Sequence, residues 1–135
     1  MAPLHAPSEM QQILAAGDQR AARVRLFELG ESLARERGLA GLELLERVEL
    51  AAARSLSKAD PGALAPVILL HHWLYQEARR RELSLLSTHA RNGTLRLVEI
   101  SLDFPSLSSQ KRAARVLASL GGTLQQAAQI RFSQR

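Results

Sequence analysis

From Met10 to Leu85, leucine, alanine and other apolar residues recur at spacings of three and four, the period of a helix with one buried face. Ser8–Ala16 reads as a short first helix, with Met10, Ile13 and Leu14 on one side. A second runs from about Asp18, a natural N-cap, to Arg37, with Ala22, Leu26, Leu29 and Leu33 on its stripe. Gly38 ends it. A third runs from Ala40 to Ser57, with Leu45, Val48, Ala52 and Leu56 inward and Glu43, Glu46, Arg47 and Glu49 on the other side. The short Gly38–Gly41 connection implies an antiparallel hairpin. After the break at Asp60-Pro61, the pattern predicts a long central helix up to about Arg91, with Val67, Leu70, Leu74, Ala78 and Leu85 buried. Asn92-Gly93 is the expected stop.

Beyond Gly93 the period changes. Leu95, Val98, Ile100, Leu102 and Phe104 stand among Glu99, Ser101 and Asp103, and from Val98 onward the alternation is strict. This is the strand period, and it predicts one strand-like segment near 94–104. Leu95, Val98 and Leu102 would also suit a helix. A solitary strand leaves its backbone groups unpaired, so it calls for a second strand from another molecule. A last helix follows, carrying Ala113, Val116, Leu117 and Leu120, and Gly121-Gly122 separates it from a helical tail over 123–132. The fold expected is mainly α: a single-domain helical bundle over 1–135, with 1–7 a flexible tail.

The chain has no cysteine, which excludes disulfide scaffolds, thiolate nucleophiles, iron–sulfur clusters and cysteine-bearing zinc sites. The N-terminus lacks the basic and apolar regions of a signal peptide. The longest apolar run, Ala63–Leu70, falls well short of the ~20 residues that span a bilayer. A cytoplasmic protein without membrane contact is expected. His71 and His72 are adjacent and point about 100° apart on a helix, and neither has a carboxylate or histidine three or four residues on. On a continuous helix His89 lies several turns further along. No metal site is therefore expected. Nucleophile elbows, phosphate loops and paired catalytic carboxylates are missing too, so neither catalytic residues, cofactor nor small-molecule substrate is expected.

Charge is the remaining signal. The net charge is +5, with residues 1–60 at −1 and residues 61–135 at +6. Sixteen of the eighteen basic residues are arginine, a bias that a GC-rich genome alone would produce. Two clusters stand out. Arg79, Arg80 and Arg81 reach around a helix, with Glu77 and Glu82 in range to pair with them. Lys111, Arg112 and Arg115 have no acid nearby and oppose the dipole of the last helix, so helix stability does not explain them. They are the better candidates for a phosphate or acidic-partner contact, with Arg131 and Arg135 adding to the same basic end. Trp73 and Tyr75 fit core positions.

The run Val116-Leu-Ala-Ser-Leu-Gly-Gly-Thr-Leu-Gln-Gln-Ala-Ala128 resembles the entry to a Fis-type helix-turn-helix. That family follows it with a turn and a recognition helix, for which seven residues leave no room, so no residue role is carried over. The function expected is a non-enzymatic adaptor or small subunit that binds a protein partner or itself, with strand addition through Leu95–Phe104 as the mechanism. The alternative is sequence-independent binding of a nucleic-acid backbone.

Overall fold

The structure is a computed structural model that describes residues 7–103 and 106–119. Those residues form a mainly helical bundle of five α-helices: α1 (Pro7–Ala16), α2 (Arg20–Ala59), α3 (Leu64–Arg80), α4 (Ser84–Asp103) and α5 (Leu107–Ser119). A single 3₁₀ turn, Pro61–Ala63, links α2 to α3. Residues 1–6 lie outside the described residues, and Pro7 is already the first residue of α1.

Uninterrupted, the forty residues of α2 would extend about 60 Å. They do not, because Gly38 leaves the helical region at φ 58°, ψ −137°. A Cβ at Gly38 would touch nothing within 4 Å, so its requirement is the backbone angle itself. Past the reversal, Gly41 backs onto the first arm so closely that a Cβ would sit 2.6 Å from the Leu33 carbonyl oxygen. Asp18, just before α2, and Gly62, just after it, line one cleft, so the two arms run antiparallel. At the start of α2, Asp18 does not cap the helix. Its carboxylate accepts from Arg23 Nε and Nη2 at 2.8 and 2.9 Å, and Gln19 takes the cap position.

The long central helix is two helices. Glu82 sits at φ 59°, and the Leu83 and Glu82 amides donate to the Ala78 and Arg79 carbonyls at 2.9 and 3.1 Å. This is the double bond pattern of a Schellman end, with glutamate in the left-handed position that glycine usually takes. No glycine, asparagine or proline marks the break, which is why the apolar period reads straight through it. Leu85 is consequently 47% exposed.

The strand-like segment is absent: there is no strand among the described residues, and 94–103 is the second half of α4. Leu86, Ala90, Leu97 and Val98 bury one face at helical spacing, with Gly93, Thr94 and Ser101 between them. Leu95, Val98 and Ile100 are buried in α4, Leu102 is half-buried, and Phe104 lies outside the described residues. The physical reason is backbone satisfaction. A helix pairs its amides locally, whereas a lone strand leaves both edges open. Thr94 accordingly returns its hydroxyl to the Ala90 carbonyl at 2.7 Å. Gly93 continues the helix instead of ending it, because its bare Cα lets His71 approach: a Cβ there would lie 3.3 Å from the ring.

The core is aliphatic, with Leu26, Leu45, Leu64, Ile68, Leu70 and Leu74 fully buried at the centre of the bundle. Burying each such side chain stabilises the fold by roughly 1.5–3 kcal/mol. Helix α5 packs its inner face, Ala113 and Val116, chiefly against α3.

Candidate functional site: a basic cleft and an acidic groove at opposite ends of the bundle

Both sequence clusters of basic residues are at the surface, but their surroundings differ. Arg80 donates to both carboxylate oxygens of Glu77, through Nε at 3.0 Å and Nη2 at 2.5 Å. Arg81 Nε adds a third donor to Glu77 at 3.1 Å. Hydrogen bonds from Arg80 and then Arg81 hold the Glu77 carboxyl below its usual range. The Arg81 guanidinium also lies 4.6 Å from the centre of the Phe27 ring, and Arg79 Nη1 donates to the Tyr75 hydroxyl at 3.3 Å. Trp73 is half-buried, with Arg23 stacked 5.2 Å over its ring.

Lys111, Arg112 and Arg115 have no such partners among the described residues. They form one wall of a cleft of about 580 Å³, faced by Gly62, Ala65, Pro66 and Leu69 at the start of α3. The one acid on the lining, Asp18, is already bound twice by Arg23. The positive end of the α3 dipole points into the same region. Outside the cleft, Leu107 continues the α5 surface and is 68% exposed. Arg131 and Arg135, and most of the helix-turn-helix-like run, lie outside the described residues.

The opposite end of the bundle, at the Gly38 reversal, has the other sign. A groove of about 390 Å³ between the first arm of α2 and the start of α4 is lined by Glu31, Arg35, Glu82, Leu83 and Leu86, among others. A second, of about 210 Å³, is lined by Leu39, Leu42, Glu43, Glu46 and His89. The two share Leu85. Leu39 is 60% exposed. Glu31 pairs with Arg35 and Glu46 with Arg96, while Glu43 and Glu82 have no ion pair among the described residues.

Between the two ends lies a cluster that sequence reasoning missed. Glu49 is buried and sits between two histidines: its Oε2 is 2.7 Å from His71 Nε2, and its Oε1 is 2.9 Å from His89 Nε2. The first contact is a hydrogen bond, whereas the second is not aligned as one. His71 Nδ1 lies 3.0 Å from the Val67 carbonyl, so both of its nitrogens face acceptors. Burial alone would push the Glu49 carboxyl up, but the positive charges of His71 and His89 outweigh it and hold it at about 2. Burial likewise favours a neutral His89, yet the Glu49 charge, helped by Glu46, raises it. His72 is lowered by burial.

The apolar period puts Glu49 on an outward face, and the structure buries it. Leu45 and Ala52 are buried as expected and Val48 and Leu56 half-buried, but the fully buried stripe also takes in Leu42, Glu49 and Ala53, and a carboxylate at spacings of four and three from leucine and alanine is the available signal. One continuous helix would put His89 several turns from His71. The turn at Glu82 folds it back. Among the described residues no group of three or more His, Asp or Glu side chains is arranged to hold a metal ion. None of the described helices is long and apolar enough to cross a membrane.

These features define a small mainly helical domain with one internal charge cluster and two charged surfaces. No protein-family model matches the chain, nor does any curated protein or solved structure.

Proposed function

We propose that the protein is a non-enzymatic adaptor or small subunit whose basic cleft receives an acidic segment of a partner protein. The observation that carries this reading is the set of three cations, Lys111, Arg112 and Arg115, lining a concavity without an ion pair. None of the three sits in the first or last turn of α5, so the helix dipole does not account for them. The facing wall is partly apolar, through Ala65, Pro66 and Leu69. An acidic peptide with interspersed apolar side chains satisfies both walls, whereas a phosphodiester backbone would use only the charged one. The imidazoles do not argue for catalysis: His71 and Glu49 are spent on each other in the interior. Strand addition is withdrawn with the strand.

The second reading, nucleic-acid backbone binding, rests on the same three cations and is separated by experiment. A labelled peptide of alternating Glu and Leu and a labelled mixed-sequence oligonucleotide are each titrated with the protein at several salt concentrations, by fluorescence anisotropy. The peptide is expected to bind and to lose at least about tenfold in affinity when Lys111→Gln and Arg112→Gln are combined, roughly 1.4 kcal/mol. A steep salt slope for the oligonucleotide, flattened by the same pair of substitutions, would replace the peptide reading with the nucleic-acid one.

A further inference from the structure

We propose that the acidic partner is a second copy of this chain, the basic face of α5 on one molecule docking in the acidic groove at the Gly38 end of the next. The inference rests on the functional reading above, that the α5 cations meet an acidic partner, names that partner, and places the contact on the exposed α5 face beside the cleft. Four large apolar side chains are exposed among the described residues: Val24, Leu39, Leu85 and Leu107. Three of the four belong to these two surfaces. Leu107, Lys111 and Arg115 are spaced by four on α5 and are all exposed, forming a stripe with one apolar anchor followed by two cations. The groove presents the complement: exposed Leu39 and Leu85 on its lining, with Glu43 and Glu82 beside them and without an ion pair among the described residues.

This is the helix-in-groove mode, in which an apolar anchor supplies area and rim charges set register. The two surfaces lie at opposite ends of the α2 hairpin, roughly 27 Å apart at 1.5 Å per residue. They therefore cannot satisfy each other within one molecule. Each joins a different patch to its complement, so the contact is heterologous, and an intact chain keeps one free surface of each sign until the assembly closes. A chain of net charge +5 that places an acidic, apolar groove opposite its basic end has built both halves of one contact.

The test is the mass in solution of the full chain, by light scattering after gel filtration, over a wide range of protein and salt concentrations. At low salt the mass is expected to exceed the 14.8 kDa of the monomer and to fall toward it as salt screens the contact. Lys111→Gln with Arg115→Gln, and separately Glu43→Gln with Glu82→Gln, should each give a monomer. Mixing these two variants should restore one contact and yield a one-to-one pair, a result that a merely misfolded variant cannot produce. A wild-type chain that stays monomeric at every concentration overturns the inference, as does an assembly that survives both pairs of substitutions. If that monomeric wild type still binds the Glu-Leu peptide, only the identity of the partner fails. If it binds no peptide, the functional reading fails as well.

Discussion

The two basic clusters are near-equals in the sequence, three cations each within five residues, but the fold treats them in opposite ways. Arg80 and Arg81 converge on Glu77, Arg81 also covers Phe27, and Arg79 reaches Tyr75. Lys111, Arg112 and Arg115 line an open cleft without an ion pair among the described residues. The difference teaches that the count of charges says little about their availability. A charge matched inside its own chain contributes to the fold, and an unmatched one is free to recognise something else. Glu49 with His71 and His89 is the extreme of the matched kind, since one buried carboxylate lies within 2.9 Å of both imidazoles.

Removing matched charges should cost stability, and removing unmatched ones should cost only binding. The largest effect is expected from Ile100→Pro, which breaks α4, the helix that carries His89 to Glu49. It should destabilise the fold by about 3 kcal/mol or more and lower the helical circular dichroism. Unchanged helical content would mean that 94–103 is not helical. Next, Glu49→Ala leaves two buried imidazoles without their anion. A loss of about 3–5 kcal/mol is expected in urea unfolding. A change near zero would show that the cluster contributes nothing net.

The same cluster sets a pH window. The Glu49 carboxyl is lowered from its ordinary 4.5 to about 2, so its contribution is present above 4.5 and is lost as pH falls toward 2. His89 is raised from its ordinary 6.5, so its contribution is full below 6.5 and is lost as pH rises through its folded value. Thermal midpoints should therefore peak between about pH 4.5 and 6.5, and that maximum should flatten in Glu49→Ala. A midpoint that climbs steadily through pH 8 would contradict the assignment. Among the smaller effects, Glu77→Gln removes a half-buried carboxylate whose arginine partners are exposed, and should shift the midpoint far less than Glu49→Ala. Smallest of all, Lys111→Gln with Arg112→Gln should leave the midpoint where it is.

How much of this was legible beforehand follows from what each signal depends on. The mainly helical character rests on a period that runs for most of the chain, and local periodicity reports it directly. The expected strand failed because Val98, Ile100 and Leu102 alternate over too short a run to separate a strand from a helix. Ser101, small enough to be buried beside Val98, reads as polar in either pattern. The break at Glu82 was invisible because a left-handed turn was given to a glutamate. That one residue also hid the charge cluster, since His89 meets His71 and Glu49 only after the chain folds back. Of the candidate surfaces, the Lys111 cluster was legible because no acid follows Asp103, and a local count suffices for that. The acidic groove was not, because Glu31, Glu43 and Glu82 come from segments that only the Gly38 and Glu82 turns bring together.

The most direct test of the central claim sets the two basic clusters against each other. Affinity for the labelled Glu-Leu peptide is measured for the wild type, for Lys111→Gln with Arg112→Gln, and for Arg79→Gln with Arg80→Gln, which remove the same charge. The account predicts a loss of about tenfold or more for the first pair and little change for the second. Equal losses from the two pairs would show that net charge alone draws the peptide, and would contradict the distinction between matched and unmatched charge.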